Sequence, residues 1–296
     1  MASVTATQLA IVAIVLASAC LLFQGADAAA CSPLVGSREY KILLDETKFA
    51  GAPGSAATQT AVRNWWTALA PKITCCTIGG SAFDLRTSRA ISFYDTQGTC
   101  LVNKNGYAYR ERNEGGAREV TLKFRSPDRY IAAKEDVTSV DPGSSKFEED
   151  IAAPFNSKWS SSNTVSIGAG KNLNEMQDIN EQFHGFRDKY GYSDSLALVK
   201  VGGLTIEERV YKDETVDLGA LSCEFSVTVW YTSPTATSPV LVEASFKYEL
   251  SSEDYTGTVV RNAKFLFEQM QSLTTWVRGD QTKTNFVYTY QPTFCT

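Results

Sequence analysis

Charges of one sign recur two residues apart in segments that are otherwise rich in β-branched and aromatic residues. Residues i and i+2 of a β-strand lie on the same face. Arg110 and Arg112 form such a pair, and so do Glu148 and Asp150. Like charges on one face repel unless an opposite charge lies between them. The pattern therefore predicts either a face wetted by solvent or an interior that holds a charged ligand.

The chain combines many strand-like segments with three helical ones. Strands are predicted at 37–44, 88–95, 106–112, 118–126, 146–152, 196–201, 205–212, 222–231 and 240–250. Helices are predicted near 57–70, 172–189 and 258–277. Stretches rich in Gly, Ser or Pro, among them 157–163, are interpreted as loops. We expect an α+β fold whose large antiparallel sheet has enough strands to close into a β-barrel.

An apolar run from Leu9 to Phe23 precedes these elements. It is shorter than the ~20 residues of a membrane span. Small residues, Ala26 and Ala28, follow it where a signal peptidase cleaves. We expect residues 1–28 to be a signal peptide and residues 31–296 a single domain. The mature protein would be secreted, or lumenal in the secretory pathway, without stable membrane insertion; an uncleaved anchor is the alternative.

Six cysteines would remain after that cleavage, namely Cys31, Cys75, Cys76, Cys100, Cys223 and Cys295. In an oxidising compartment they predict up to three disulfide bonds. Cys31 and Cys295 lie at the two ends of the mature chain, so we expect a bridge between them. Adjacent Cys75 and Cys76 are expected to pair with separate partners. A zinc site is disfavoured because the chain contains no C-x-x-C spacing.

The composition narrows the possible partners. A net charge of -5 disfavours general nucleic-acid binding, which needs a broad basic surface. The single histidine, His184, lies on a predicted helix and is interpreted as structural or as a surface residue. Lys and Arg bind phosphoryl oxygens, and carboxylates hold Mg²⁺ or Mn²⁺ together with substrate phosphate. The sorted charges therefore favour a small phosphate-bearing partner.

Several strand motifs resemble those of the CYTH superfamily, also called triphosphate tunnel metalloenzymes. The motifs, in chain order, are Ser37-Arg38-Glu39-Tyr40-Lys41 for E-x-E-x-K, Phe93-Tyr94-Asp95-Thr96 for Y-[FY]-D-T, Arg110-Glu111-Arg112 for R-x-R, Thr121-Leu122-Lys123 for T-x-K, and Glu148-Glu149-Asp150 and Glu243-Ala244-Ser245 for two E-x-E pairs. Ser37 and Ser245 stand where the family has glutamates.

The resemblance covers roughly residues 37–245 and implies an antiparallel eight-stranded β-barrel, a tunnel, with flanking helices. By resemblance, phosphate oxygens would be bound by Lys41, Arg110, Arg112, Lys123 and Arg209. One or two Mg²⁺ or Mn²⁺ ions would be held by Glu39, Glu148, Asp150 and Glu243. Glu148 and Glu243 are also the candidate catalytic bases that would position water.

The resemblance thus implies a metal-dependent hydrolase of inorganic triphosphate, nucleoside triphosphates or similar substrates. Ser37 and Ser245 each remove a carboxylate, so a non-catalytic polyphosphate- or nucleotide-binding protein of the same fold is the alternative. A third hypothesis is a secreted structural or carbohydrate-binding module with its charges turned outward. These hypotheses differ in whether the charged strand faces point into one cavity.

Overall fold

The computed structural model describes residues 34–141, 143–279 and 281–296, and at residues 81 and 82 only the path of the backbone. The predicted signal peptide and Cys31 lie outside the described residues. Within them, no helix is both long enough and apolar enough to cross a membrane.

The described residues form ten strands and seven helices. The strands are β1 (Ser37–Leu44), β2 (Thr77–Asp95), β3 (Tyr107–Glu114), β4 (Ala117–Ser126), β5 (Ser144–Ala152), β6 (Asn156–Ile167), β7 (Val199–Lys200), β8 (Ile206–Asp217), β9 (Ser222–Tyr231) and β10 (Leu241–Glu249). The helices are α1 (Ala56–Leu69), α2 (Leu101–Lys104), α3 (Arg129–Lys134), α4 (Gln177–Asn180), α5 (His184–Tyr190), α6 (Gly257–Ser272) and α7 (Lys283–Tyr290). Short 3₁₀ turns span Glu46–Phe49, Ala70–Lys72 and Val201–Gly203.

Nine strands close into a barrel in the order β3-β4-β6-β5-β1-β10-β9-β8-β2, and β2 pairs back with β3. The two-residue β7 pairs only with the end of β2. The pairing of β1 with β5 is parallel, and the other pairings are antiparallel. The expectation of eight antiparallel strands is therefore wrong. Strands in a closed ring of nine cannot alternate in direction all the way round, so one neighbouring pair must be parallel.

The unexpected strand is β6, which contains the stretch 157–163 that we interpreted as a loop. Ser and Asn are poor strand formers in general, so the sequence of this segment favours a loop. Pairing with β4 on one side and β5 on the other supplies its backbone hydrogen bonds. Its Trp159 and Val165 face outward into apolar surroundings, while serines occupy the opposite face. Tertiary pairing therefore decides the conformation of this segment.

Helices α1 and α6 cover the outer face of β1, β9 and β10. Ser55 and Thr256 begin them as N-caps, each accepting a hydrogen bond from a backbone N–H three residues on. Trp65 of α1 and Phe267 of α6 pack with Phe246 of β10 in one buried cluster. The helices predicted near 57–70 and 258–277 are confirmed, although α6 ends at Ser272.

A second apolar layer covers the outer face of β3 and β4. Tyr107 and Leu122 pack there against Ile179 of α4 and Phe186 of α5. The single helix predicted at 172–189 is wrong, because two short helices occupy that region. Phe183, at φ -124° and ψ 83°, leaves the helical conformation and separates them.

Helix α7 lies across one end of the barrel. Its Val287 joins a buried apolar cluster with Leu43, Phe93 and Trp230, which come from the ends of three barrel strands. Tyr288 Oη donates a 2.8 Å hydrogen bond to Asp95 Oδ2. Asp95 also accepts from the backbone N–H groups of Thr96, directly after β2, and of Val102 and Asn103 in α2. These contacts fix the C-terminal segment over this end.

Disulfide bonds differ from the expected pairing. Cys295 bridges Cys100, with a Cα–Cα distance of 5.3 Å, and so ties the C-terminal segment to the turn before α2. Cys75 and Cys76 bridge each other, which corrects the expectation of separate partners; the chain bends at these two residues and brings their sulfurs together. Cys223 is buried and free.

Candidate functional site

The interior of the barrel is lined by charged side chains. On β1, Tyr40 and Ile42 face outward into the helix-covered core, so Glu39 and Lys41 face inward. The inward charged residues of the barrel strands include Glu39, Lys41, Arg89, Arg110, Arg112, Glu119, Lys123, Arg125, Glu148, Asp150, Glu208, Glu243 and Lys247. This arrangement argues against the module with outward-facing charges, because the sorted faces point into one interior.

Four inward carboxylates lie on the adjacent strands β5, β1 and β10, and we call them the acidic wall: Glu39, Glu148, Asp150 and Glu243. Lys41 Nζ lies 2.8 Å from Glu39 Oε2 and 2.8 Å from Asp150 Oδ1. Lys123 Nζ lies 3.3 Å from Glu148 Oε2 and 3.3 Å from Asp150 Oδ2. Each of these three carboxylates is thus paired with a lysine from its own or another strand.

Asp150 is the most heavily paired of the four. Besides the two lysines, Arg125 Nε lies 3.3 Å from Asp150 Oδ2. Burial alone would raise the pKa of Asp150, but Lys123, Lys41 and Arg125 hold it well below its usual range. The same competition acts on Glu39, whose pKa is raised by burial but lowered, chiefly by Lys41, to about 2. Both carboxylates are therefore ionised at neutral pH.

The fourth member of the acidic wall is paired by a residue outside the barrel strands. Lys283, the first residue of α7, places its Nζ 2.8 Å from Glu243 Oε1 and also 5.8 Å from the ring centre of Trp230. The neighbouring Thr284 accepts a 3.2 Å hydrogen bond from Arg125. Sequence reasoning missed Lys283, because nothing in its own segment shows that α7 reaches into the barrel.

Three arginines on β2 and β3 form what we call the arginine wall: Arg89, Arg110 and Arg112. Arg89 Nε donates a 2.6 Å hydrogen bond to Glu208 Oε1. Arg112 Nη1 donates a 3.2 Å hydrogen bond to Glu119. Arg110 forms no ion pair within the described parts of the chain, and its buried Nε has no hydrogen-bond partner there. The arginine wall therefore contains a half-buried cation that has no ion-pair partner of its own among the described residues.

The surroundings of Arg110 confirm that it lies in an excess of positive charge. Burial and the nearby guanidinium of Arg112 hold its pKa well below the usual range, with Glu208 opposing them and Arg89 and Arg125 adding to them. Removing positive charge or adding negative charge would relieve this repulsion. A bound anion is the natural means, since guanidinium groups match phosphate oxygens in geometry.

Arg209 does not join this site, which corrects the predicted set. It lies on β8 between two inward residues, Glu208 and Val210, so its side chain faces the outside of the barrel. There it pairs with Glu207 Oε2 at 3.2 Å. Glu208 faces inward instead and accepts hydrogen bonds from Arg89 and from Trp230 Nε1, at 2.7 Å.

The two serines that replace expected glutamates are engaged in hydrogen bonds. Ser37 Oγ donates a 3.0 Å hydrogen bond to Glu148 Oε1. Ser245 Oγ lies 2.9 Å from Ser226 Oγ. On the inner face of β6, Ser160 Oγ is buried and has no partner among the described residues. Hydroxyl groups thus fill the spaces between the charged side chains.

The predicted metal ligands share one interior but do not form a metal site. Among residues 34–141, 143–279 and 281–296, no three His, Cys, Asp or Glu side chains converge as a metal would require. Glu39 and Asp150 approach each other around the ammonium of Lys41, and Glu148 and Asp150 do so around that of Lys123. The donor set, paired in this way with bases, does not fit a divalent cation.

Comparisons with known proteins found likeness only among solved structures. No protein-family model and no curated protein matches the chain. A Hippeastrum protein, described as a candidate adenylyl cyclase with a dominant triphosphatase activity, is 15% identical over 86% of this chain and 96% of its own, with a TM-score of 0.45.

Two further structures are more distant. A candidate adenylate cyclase from Bacillus halodurans is 10% identical, over 84% of this chain and 97% of its own, with a TM-score of 0.37. A Pyrococcus horikoshii protein is 10% identical, over 86% of this chain and 99% of its own, with a TM-score of 0.35. At such low identities and scores, what this chain does must be argued from the residues of its own barrel.

Proposed function

We propose that the barrel binds the triphosphate group of a small molecule, either inorganic triphosphate or a nucleoside triphosphate. The observation that carries this proposal is Arg110, a half-buried arginine that forms no ion pair among the described residues and whose buried Nε has no hydrogen-bond partner there. Removing a charge from water without giving it a partner is unfavourable, even where the burial is partial. A ligand that supplies several negative charges next to Arg110 and Arg112 would offset that cost.

The opposite end of the barrel from α7 offers the route of entry. Helix α7 lies across the other end, and two inward side chains near this one, Glu119 and Lys247, are 39% and 34% exposed. We call this end the mouth. A linear triphosphate entering here would meet Arg112 and then Arg110 before reaching the apolar layer under α7.

The two lysines that pair with the acidic wall already have partners, so they would contribute less to ligand binding than Arg110. Lys41 and Lys123 would have to exchange carboxylate oxygens for phosphate oxygens, which gains little net Coulomb energy. The guanidinium of Arg110 exchanges no described partner. Most of the binding free energy is therefore expected from the arginine wall, with Lys123 and Lys41 as secondary contacts.

Hydrolysis of the bound anion is the second candidate function. Glu148 lies in the same interior as the bases, and its pKa is lowered: burial opposes this, but Lys123 outweighs it. Glu148, with Glu243 as the other candidate base, would accept a proton of attacking water, and the arginines would neutralise charge as the anhydride bond breaks. The Mg²⁺ or Mn²⁺ dependence that the family resemblance implies concerns this hydrolysis and not the binding of the anion.

Calorimetric titration with tripolyphosphate, ATP and sulfate tests the proposal. Binding of the two triphosphates at one site per chain, with sulfate at least about tenfold weaker, would support it. Equal affinity for all three, or none, would contradict it. Phosphate release from bound tripolyphosphate, with and without Mg²⁺ or Mn²⁺, then separates a hydrolase from a binding protein.

A further inference from the structure

The position of Lys41 bears on how the acidic wall is neutralised. Its ammonium lies 2.8 Å from both Glu39 Oε2 and Asp150 Oδ1, on two different strands. It also feels the charge of Glu243. A divalent cation drawn to these carboxylates would need the same place between them. Because two cations cannot share that space, the ion would have to displace the half-buried ammonium of Lys41.

Among the described residues, the other two carboxylates of the acidic wall are already paired as well. Glu148 is paired with Lys123 and accepts from Ser37, while Glu243 is paired with Lys283. Ser245 follows Glu243 on the inner face of β10, and its hydroxyl is hydrogen-bonded to that of Ser226. Neutral hydroxyls bind hard divalent cations more weakly than carboxylates do. The acidic wall is thus already neutralised by the protein's own bases.

We infer that the barrel binds its phosphate anion without a divalent cation, with the Lys41 ammonium serving as the fixed counter-ion between Glu39 and Asp150. The inference rests on the proposed triphosphate binding and goes beyond it, since metal dependence is what the sequence resemblance implies. The carboxylates of the acidic wall would then have a structural role, because they balance the charge of the barrel's own lysines. The arginine wall then supplies most of the attraction for the ligand.

The first test compares two titrations of the full chain with tripolyphosphate, one in EDTA and one in excess Mg²⁺. We expect affinity in EDTA to equal or exceed that in Mg²⁺, within about threefold. A loss of about tenfold or more in EDTA would overturn the inference but leave triphosphate binding standing. Failure to bind in both buffers would overturn the proposed function itself, and the inference with it.

The second test uses Mn²⁺ alone as the probe, with the electron paramagnetic resonance signal of free Mn²⁺ as the readout. With the wild-type chain present, that signal should equal the signal of the same Mn²⁺ concentration in buffer alone, which means that the chain binds little Mn²⁺. Lys41→Met should bind Mn²⁺ at least about tenfold more tightly, because Glu39 and Asp150 lose their shared cation. Lys264→Met, on the outer helix α6 where Lys264 pairs with Glu268, is the matched control and should behave as wild type.

A third variant guards against misfolding of Lys41→Met. Ser37→Glu combined with Ser245→Glu adds two carboxylates and leaves Lys41 in place. This chain should also gain Mn²⁺ affinity, by at least about tenfold, and its tripolyphosphate binding should become dependent on the ion. Tight stoichiometric Mn²⁺ binding by the wild-type chain would contradict the inference, whatever the variants do.

Discussion

The acidic wall and the arginine wall line the same barrel, yet their charges are balanced in different ways. Within the described residues, every carboxylate of the acidic wall is paired with a lysine or arginine, and Asp150 contacts three of them. On the arginine wall, Arg110 has no such partner and is surrounded by further cations. The paired charges of the acidic wall stabilise the fold. The unpaired charge of Arg110 would be neutralised by a bound anion.

This contrast separates stability from binding. Breaking a buried pair leaves an uncompensated charge and is strongly destabilising. Removing a charge that has no partner should stabilise the fold instead. The cost of taking that charge out of water is not offset by an ion pair, and it disappears together with the charge. The same kind of substitution should therefore have opposite effects on the two walls.

The largest expected effect is that of Asp150→Asn. The substitution leaves Lys41, Lys123 and Arg125 with less negative charge, so the free energy of unfolding should fall by about 3–5 kcal/mol. Urea denaturation measures it. Tripolyphosphate should restore part of the loss, since it supplies charge to the same bases. Glu268→Gln on the exposed surface of α6 is the control and should leave the unfolding midpoint unchanged.

The next effect concerns pH and Glu208, whose side chain is only 4% exposed. Burial raises its pKa, but Lys283 and Arg89 outweigh burial and lower it from 4.5 to about 2. A lowered folded-state pKa stabilises the protein above the unfolded value, and that stability is lost as pH falls through the folded value. The wild-type chain should lose on the order of 2 kcal/mol from this group between pH 4.5 and 2.

Glu208→Gln isolates that contribution. The variant should be less stable than wild type at neutral pH, and the difference between the two should shrink as the pH falls through this range. Urea unfolding at a series of pH values measures both chains. A difference that stays constant down to pH 2 would show that Glu208 is not held ionised by its neighbours.

A smaller effect, of opposite sign, is expected from Arg110→Gln. The variant loses a half-buried cation that has no ion-pair partner among the described residues, so its free energy of unfolding should rise by about 1 kcal/mol in the absence of ligand. Arg112→Gln should raise it less, because Arg112 is 24% exposed and has Glu119 as a partner. A clear loss of stability in Arg110→Gln would contradict this contrast, because it would mean that Arg110 has stabilising contacts in the folded protein.

The inward charges of β1, β3, β4, β5 and β10 could be predicted, because a period of two assigns each residue to a face once one residue is placed. The same rule explains the failure at Arg209. A shift of one residue turns a strand over, and the sequence of β8 carries charges on both faces, Glu207 and Arg209 outward and Glu208 inward. Nothing within the segment decides between the two faces.

Other parts of the site depend on contacts that are distant in sequence. Lys283 enters the barrel because α7 is held over its end by Tyr288 and by the Cys100–Cys295 bridge. Arg89 lies in a predicted strand, but Ile91 and Phe93 share its face and suggest an apolar core. Strand β6 is specified by pairing with its neighbours rather than by its own residues.

One measurement tests the central claim most directly: the dissociation constant of tripolyphosphate for Arg110→Gln compared with Arg209→Gln. Both variants exchange an arginine on a barrel strand for the same neutral residue, but only Arg110 faces the interior without a partner. We predict that Arg110→Gln weakens binding by at least about tenfold and that Arg209→Gln changes it by less than about twofold. Equal affinities in the two variants would contradict the claim that the unpaired arginine draws the anion into the barrel.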